Sequence, residues 1–522
     1  MEETKDTEKP SEKIEKVEKS SEEKVKDRKE RIKNWLRNPY NLALVGILVL
    51  AFVIRLYYFF LTKNQALWWD EAEYALKAKS FAFGTPDTGW APEREIVVPF
   101  LFSLILRAGG GEIILRVIQL IVSILTVVFT QILFAKIISK KAAIFATFGM
   151  AFFWLHVFFT QRILLYLWAP LIYLILIYLF YEGYINNKKK YLIAFAILAA
   201  VGLEIYFSIG FLLFGLLIYV LLTEGFSFLK NKKVWIVLIV FLLAILPFAI
   251  YFQSTFGFPI PRLAIGYKAT TQEPGAGISG LLTYISMFPS RAGWAFAILS
   301  FFGLIYFLIT LFLGLGIKNY LKETHRWLLI FICFFVPFLM YTLYGTIGGS
   351  GTFYDAFILS VFPFAFAFAG LFLEKILNFN KKYQTFAVLL VILLLLIHAY
   401  YGIKNSSDTI VPKLNSYDSV KFAGLWIKEN SQPGDIIISR SRPQNTYYSE
   451  RQTINYPKSE EELNKLIEEK RPKYIIDSVW EQTDQWVHEY PSKYNSTVIP
   501  VQIYFLDVEK TQPSLIVYKV NY

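Results

Sequence analysis

The sequence predicts a polytopic α-helical membrane protein of about eleven transmembrane helices, followed by a C-terminal α/β domain. Two observations predict the membrane part. Runs of roughly 20 apolar residues, the length that crosses a bilayer, recur along most of the chain, and the 522 residues are 55% hydrophobic with a mean hydropathy of +0.43. A third observation, the change to a soluble-domain composition after about Lys413, predicts the α/β domain.

Eleven segments are apolar enough to be candidate spans. They cover residues 41–62, 113–134, 142–159, 163–182, 191–203, 205–223, 234–252, 293–316, 327–344, 353–373 and 384–402. The fifth and sixth segments are short, and they are separated only around Glu204. They could form two spans joined by a tight turn, or one long broken element.

The distribution of positive charge predicts the orientation. If the N-terminus is inside, every predicted inner loop is basic, as shown by Lys136, Lys140 and Lys141, then Lys188 to Lys190, Lys230, Lys232 and Lys233, Lys318, Lys322 and Arg326, and Lys375, Lys381 and Lys382. The short outer loops carry few charges. This positive-inside pattern supports the split at Glu204. It predicts a multi-pass cell-membrane protein with a cytoplasmic N-terminus and an extracytoplasmic C-terminal domain.

Composition also predicts the domain organisation. Residues 1–38 alternate Lys and Glu, which predicts a disordered, charged cytosolic tail; residues 39–405 form the membrane domain, and residues 410–522 form the soluble domain. The net charge of +12 is explained by basic cytoplasmic loops, so no nucleic-acid partner is predicted. With Cys333 as the single cysteine, no intrachain disulfide and no Cys-based metal site is expected.

Two predicted outer loops are long. The first, at about 63–112, holds apolar segments at Tyr74–Phe83 and Ile96–Leu106, which predict helices lying along the membrane surface. The second, at about 253–292, holds scattered cations and a glycine-rich stretch at Gly275–Gly280. Long loops in compact proteins are often functional, so the second loop is predicted to be a mobile flap over a site.

The C-terminal domain shows mixed patterning. Apolar spacing predicts a helix over Ser419–Asn430, and a capping box at Ser459–Glu462 predicts the start of another. Alternating or β-branched runs predict strands over residues 435–439, 474–476, 498–506 and 515–520. The pattern indicates a small α/β domain.

The acidic stretch from Trp68 to Tyr74 is the leading candidate for chemistry. Tryptophan favours the headgroup level, and a carboxylate in the low dielectric there can have a shifted pKa. On a helix, Asp70, Glu73 and Tyr74 share one face. We predict Asp70 and Glu71 as catalytic residues, with Asp70 as the base. The alternative is that the Asp-Glu pair merely begins an interfacial helix.

Cations on the predicted outer side are candidates for binding a lipid phosphate. Such a leaving group needs positive charge, and no proton, as its bond breaks. The candidates are Arg94, Arg162, Arg262, Lys268 and Arg291. Arg162 opens a span and could serve only as an anchor. Arg94 lies between Glu93 and Glu95, so a local ion pair is the alternative there.

Glu73, Tyr74, Arg55 and Glu204 complete the predicted substrate-binding set. Arg55 lies within the first span, where charge is usually functional, although a snorkelling arginine is the alternative. For Glu204 the alternative is a solvated cap at the turn. No metal-binding residue is assigned, because histidine is sparse, yet neighbouring carboxylates would allow Mg²⁺ or Mn²⁺.

Several motifs occur in a familiar order. Arg55-Leu56 in the first span leads into Trp-Asp-Glu-Ala-Glu-Tyr-Ala at residues 69–75; Glu112 and Arg116 open the next span; Gln161-Arg162 and Phe362-Pro363 follow. This order resembles the GT-C superfamily of membrane glycosyltransferases. Within it, the chain is similar to the dolichyl-phosphate-mannose protein mannosyltransferases and the bacterial lipid A aminoarabinose transferases.

The resemblance covers about residues 40–400 and implies a GT-C fold and a glycosyltransferase activity. It implies a sugar donor linked to a polyprenyl phosphate (dolichyl or undecaprenyl), transfer at the outer membrane face and inversion of the anomeric centre. Asp70 corresponds to the family's catalytic aspartate. The partners it implies are that donor, membrane lipids, and an acceptor that is a protein, a lipid or a growing glycan.

The sequence departs from the family pattern at several positions. The second surface helix has Val98-Pro99 where a His-Pro or Pro-Pro pair is usual, and Ala356-Phe357 replaces an Arg-Tyr or His-Tyr pair. No acid follows Arg162 before Pro170, and the turn at Glu204 has no Lys or His. Two other functions stay open: a flippase or transporter of lipid-linked sugars, and a scaffold for the C-terminal domain.

Overall fold

The computed structural model describes residues 30, 33–92, 94–260, 280, 282–315, 321–347, 355–507 and 509–522. Its first part is helical. The helices are α1 (Pro39–Thr62), α2 (Trp69–Phe83), α3 (Val97–Arg107), α4 (Glu112–Ile137), α5 (Lys140–Ala151), α6 (Trp154–Thr160), α7 (Trp168–Phe180), α8 (Lys189–Leu203), α9 (Ile209–Glu224), α10 (Lys232–Phe256), α11 (Thr283–Ala292), α12 (Trp294–Leu315), α13 (Leu321–Ile347), α14 (Phe362–Asn378) and α15 (Gln384–Ile410). A π-helical turn, Tyr181–Ile185, extends α7, and a 3₁₀ turn, Phe357–Ser360, precedes α14.

Each predicted span coincides with a helix or a pair of helices. In the described part of the chain, eight helices are long and apolar enough to cross a membrane, and the bent pair α5–α6 makes a ninth. The other two predicted spans correspond to α8, with 15 residues, and α14, with 17 residues. α8 ends at Leu203 and α9 begins at Ile209. The fifth and sixth predicted segments are therefore two helices joined by a tight turn, and not one long broken element.

The two helices predicted in the first long loop are α2 and α3. α2 begins earlier than expected, at Trp69, so Asp70 lies in its first turn. It ends at Gly84, whose φ of 68° is a left-handed conformation that glycine adopts without strain. The segment before α3 is tied to the α8–α9 turn, because Val97 N donates to Glu204 O (3.1 Å) and Phe207 N donates to Glu95 Oε1 (2.8 Å).

In the second long loop, the structure describes α11 and the residues next to it. Arg262, Lys268 and most of the glycine-rich stretch lie outside the described residues. The predictions for those two cations and for a mobile flap therefore stay predictions.

The C-terminal part contains α16 (Asp418–Glu429), β1 (Ile436–Ser439), α17 (Arg442–Ser449), β2 (Gln452–Ile454), α18 (Glu460–Lys470), β3 (Tyr474–Ser478), α19 (Gln485–Lys493), β4 (Val498–Phe505) and β5 (Pro513–Val520). The sheet order is β2-β1-β3-β5-β4. β1 is parallel to β2 and β3, and β5 is antiparallel to β3 and β4.

Both faces of this sheet are covered by helices. Ile437 and Ile476 pack with α16 on one face, whereas their neighbours Ile438 and Ile475 pack with Leu463 of α18 on the other. Successive strand residues point to opposite faces, so an almost continuous apolar run such as Ile436–Ile438 is needed in a strand that is buried on both sides.

Candidate active site

The first turn of α2 presents the predicted acidic face. Asp70, Glu73 and Tyr74 share one side of the helix, as the spacing predicts. Arg94 joins them from the loop before α3: its Nη2 lies 3.8 Å from Asp70 Oδ1, and its Nη1 forms an ion pair with Glu73 Oε2. Arg94 therefore bridges the two carboxylates of α2.

Two aromatic rings hold Arg94 in place. Its guanidinium carbon lies 5.6 Å from the ring centroid of Tyr74 and 5.7 Å from that of Trp90, and the two rings meet edge to face at 5.6 Å. Stacking of this kind is worth about 0.5–2 kcal/mol. Trp90 was not among the predicted site residues, although it lies in the same loop.

Asp70 combines access to solvent with a shifted pKa. Its side chain is 46% exposed, against 16% for Glu73. Burial of the carboxylate raises the pKa of Asp70 above its usual value; Arg94 opposes this effect and the nearby Glu71 adds to it. A carboxylate with a raised pKa is a stronger base and is still accessible to an acceptor. The role of Asp70 as the base stays a prediction.

Glu71 points the other way and is fully buried. Its Oε1 accepts from Ile163 N (2.8 Å) and Arg116 Nη1 (3.4 Å), and its Oε2 accepts from Trp68 N (3.1 Å) and Arg162 Nη1 (3.3 Å). The carboxylate therefore joins the start of α2 to α4 and to the segment after α6. This geometry favours a positioning role for Glu71 rather than the predicted catalytic one.

Arg162 and Arg116 complete this buried network. The Arg162 guanidinium carbon lies 3.5 Å from the centroid of the Trp68 ring. Arg116 also donates to Gln65 O (2.9 Å) and to Gln161 O. Both cations neutralise Glu71, so Arg162 helps to position α2, and its predicted part in phosphate binding stays a prediction. Arg116 was quoted for the resemblance but was not a predicted site residue.

Arg55 is enclosed within the helical bundle. Its Nε donates to Ser123 Oγ (2.6 Å), its Nη1 to Ala51 O (3.1 Å) and Ala151 O (2.8 Å), and its Nη2 contacts Met150 O (3.2 Å) and His156 Nδ1 (3.0 Å). A guanidinium has five N–H donors, and these contacts use all of them. Arg55 thereby satisfies the last carbonyls of α5, where the chain bends by 55° into α6. No donor is left for a lipid phosphate.

Two further predicted residues lie on other elements. Arg291, at the end of α11, donates to Asp355 Oδ1 (2.7 Å), and its guanidinium lies over Trp154 at 5.7 Å. Glu204 is 7% exposed at the α8–α9 turn, where its carbonyl accepts from Val97 N. This backbone contact anchors the segment that carries Arg94.

An apolar cleft of about 350 Å³ lies among α11, α12, α13 and α14. It is lined by Tyr284, Ile285, Phe288, Ala297, Ser300, Phe301, Leu304, Phe334, Phe335, Phe338, Ile358, Val361, Phe362, Ala365 and Phe368. Phe301 at its edge is 60% exposed on a helix that is apolar enough to cross the membrane. The cleft therefore opens to the bilayer and could take a hydrocarbon chain.

A track of aromatic rings runs from beside this cleft to Tyr166. Phe357, next to the cleft residue Ile358, lies 5.9 Å from Phe207; Phe207 lies 5.2 Å from Tyr206, and Tyr206 lies 6.1 Å from Tyr166. Burial raises the pKa of Tyr74 well above its usual value, and among the smaller effects Tyr166 raises it further. Tyr166 is thus within electrostatic reach of the acidic face.

Tyr206 is a candidate that the sequence did not reveal. It is 3% exposed, and its hydroxyl has no hydrogen-bond partner among the described residues. A buried hydroxyl is usually bonded, so this group is suited to meet a polar part of a substrate. The only signal in the sequence was its place next to the Glu204 turn.

The described residues contain no ready-made cluster for a divalent cation, and the possible binding of Mg²⁺ or Mn²⁺ stays a prediction. Among them, no group of three or more His, Cys, Asp or Glu side chains could hold a metal ion. Asp70 and Glu73 are instead neutralised by Arg94. The expectation of Mg²⁺ or Mn²⁺ finds no ligand set in this part of the chain.

Comparison with known proteins identifies the fold. A family model described as dolichyl-phosphate-mannose-protein mannosyltransferase matches residues 92–251. The crystal structure of ArnT from Cupriavidus metallidurans bound to undecaprenyl phosphate is similar with a TM-score of 0.65 and 12% identity, over 91% of this chain and 97% of that chain. Comparison with curated protein sequences finds no significant match.

A second type of solved structure has the same fold. The oligosaccharyltransferase of Archaeoglobus fulgidus, tethered to an acceptor peptide with the NVT sequon, is similar with a TM-score of 0.57 and 12% identity, over 94% of this chain and 75% of that chain. ArnT in the apo state has a TM-score of 0.63 and 12% identity, over 93% of this chain and 98% of that chain. The chain is thus similar to GT-C glycosyltransferases and has a mostly helical GT-C fold with a C-terminal sheet.

Proposed function

We propose that this protein is an inverting glycosyltransferase that acts at the outer, extracytoplasmic face of its membrane. It moves a sugar from a polyprenyl phosphate to the hydroxyl of a protein, lipid or glycan acceptor. The observation that carries the proposal is the half-exposed Asp70 carboxylate with its raised pKa, held beside Arg94. The GT-C fold and the match to a mannosyltransferase family support the reaction class.

The proposed reaction is a single displacement. Asp70 takes the proton of the acceptor hydroxyl while its oxygen forms a bond to the anomeric carbon. The bond between that carbon and the phosphate oxygen breaks on the opposite face, and the polyprenyl phosphate leaves with the bonding electrons. The product has the inverted configuration, and Asp70 returns its proton to solvent.

The donor and its orientation are also part of the proposal. The apolar cleft would hold the prenyl chain in the bilayer, and the aromatic track would lead the sugar towards Asp70. Cations of the outer side would stabilise the phosphate; Arg262 and Lys268 stay candidates for this, together with Arg94. The basic predicted inner loops support a cytoplasmic N-terminus and an extracytoplasmic C-terminal domain.

The transport alternative has less support. It needs a charged group that a substrate can reach within the membrane. Arg55 was its clear candidate, and that guanidinium uses its donors within the protein.

The test is sugar transfer by purified protein in lipid nanodiscs. Polyprenyl phosphates carrying mannose, glucose or 4-amino-4-deoxyarabinose are supplied, and release of polyprenyl phosphate is measured. We expect turnover of at least one donor by the wild type and a decrease of at least about 100-fold in Asp70→Asn. Asp408→Asn, on α15 and paired with Lys404 at the surface, is the matched control.

Two results would contradict the proposal. If Asp70→Asn transfers sugar at the wild-type rate, Asp70 is not the base. If the sugar–phosphate bond of every donor stays intact while the lipid crosses the bilayer, the protein is a transporter.

A further inference from the structure

The C-terminal domain is fastened to the helix that carries Asp70. Lys79 of α2 donates to Tyr447 O (3.1 Å) and pairs with Glu450 Oε1 (2.9 Å), both at the end of α17. On the other side of Asp70, Leu67 N donates to the Tyr448 hydroxyl (2.9 Å). One helix of the soluble domain thus holds the chain both before and after the proposed base.

The same helix places a cation near the acidic face. Arg442 is the first residue of α17, and its Nη2 donates to Thr88 O (2.8 Å). Thr88 is two residues before Trp90 and six before Arg94, the two loop residues that pack around the site. Arg442 is half-buried, so this contact is not a fully solvated one.

Arg442 also acts on Glu73 through its charge. Burial raises the pKa of the Glu73 carboxyl; Arg94 opposes this effect, Asp70 adds to it, and the Trp69 side chain and Arg442 lower it. Arg94, Asp70, Trp69 and Arg442 thus act on Glu73 from α2, the α2–α3 loop and α17. Arg442 thereby adds positive charge from the C-terminal domain near Glu73.

We propose that the C-terminal domain is a structural part of the active site, with Arg442 as a positioning residue. Arg442 holds the loop that carries Trp90 and Arg94 by its bond to Thr88, and so sets where Arg94 lies relative to Asp70 and Glu73. The expected effect of Arg442 on catalysis rests on the proposed function. Its expected effect on the loop rests only on the contact with Thr88.

The first test does not depend on activity. Hydrogen exchange is measured over residues 84–94 in Arg442→Gln, Arg442→Lys and the wild type. We expect exchange to become at least threefold faster in Arg442→Gln and to be largely restored in Arg442→Lys, which keeps a donor for Thr88 O. Arg440→Gln is the matched control, since Arg440 belongs to the same segment but pairs with the exposed Asp484 (3.2 Å). Unchanged exchange in Arg442→Gln overturns the inference.

The second test measures donor turnover by the same variants. We expect kcat/KM to fall about tenfold in Arg442→Gln, with the acidic limb displaced to higher pH because Arg94, which lowers the pKa of Asp70, is no longer held beside it. Arg440→Gln keeps the wild-type value and pH profile. If exchange changes but kcat/KM and the pH limb do not, Arg442 only supports the fold. If the wild type turns over no donor, the proposed function fails while the exchange result still decides the contact.

Discussion

Replacing Glu71 by glutamine is expected to damage stability more than chemistry. Glu71 is the buried anion between Arg116 and Arg162, and its two oxygens also accept from two backbone N–H groups. Removing one partner of a buried ion pair costs about 3–5 kcal/mol, because the other charge is left uncompensated. Here two guanidinium groups lose their shared carboxylate, so we expect Glu71→Gln to cost at least the lower end of that range.

The measurement is thermal unfolding of the purified protein, followed by size-exclusion chromatography after heating. Asp408→Asn is the control, because Asp408 pairs with Lys404 at the surface, with side chains 56% and 54% exposed. Such pairs contribute about 0–1 kcal/mol. Asp70→Asn is expected to unfold at or above the wild-type temperature, since its raised pKa means that folding disfavours the ionised form.

A double variant makes the test sharper. Residues of one ion network are not additive, so Glu71→Gln combined with Arg162→Gln should be less destabilised than the two single variants summed. The reasoning is refuted if Glu71→Gln unfolds at the wild-type temperature, or if Asp70→Asn is as destabilised as Glu71→Gln.

Two further predictions concern pH and the lipid chain. kcat/KM should rise with pH through a limb above the ordinary aspartate pKa, because burial raises the pKa of Asp70. Arg94→Gln should move that limb to still higher pH, because Arg94 lowers the pKa of Asp70. A limb at or below the ordinary aspartate pKa would contradict the assignment of Asp70 as the base. Ala365→Trp, which fills the apolar cleft, should raise the KM for a long-chain donor at least tenfold and the KM for a short-chain donor only slightly. Leu313 is 65% exposed on α12, so Leu313→Trp should change neither KM.

The positions of the membrane helices could be predicted from the sequence because the bilayer imposes a length on apolar segments. Charge favoured a turn between α8 and α9, since a split at Glu204 leaves the predicted basic loops on one side, and the structure contains this turn. The C-terminal domain was harder. α17 reads Arg-Pro-Gln-Asn-Thr-Tyr-Tyr-Ser, without an apolar stripe, yet seven of its eight residues are buried. Its burial comes from packing between α16 and α2, which no local pattern shows.

The candidate site was predicted unevenly. The face formed by Asp70, Glu73 and Tyr74 follows from helical periodicity alone. The partner of Arg94 could not be predicted, because its neighbours in sequence, Glu93 and Glu95, are acidic and offered a local ion pair. The structure pairs Arg94 with Asp70 and Glu73 of α2, and Glu93 lies outside the described residues. The opposite directions of Asp70 and Glu71 could not be inferred, since the buried partners of Glu71 come from α4 and from the segment after α6.

The enclosed Arg55 has a consequence for how the chain is inserted during synthesis. The α5–α6 pair, which is apolar enough to cross a membrane as one bent span, interrupts its hydrogen-bond ladder at the bend, and unsatisfied carbonyls within a bilayer are costly. The guanidinium that meets the carbonyl of Ala151 is made 96 residues earlier. The α5–α6 segment therefore has its carbonyls satisfied only once the first span packs against it. A nascent chain that lacks Arg55 would release the α5–α6 segment into lipid with bare carbonyls and expose it to quality control.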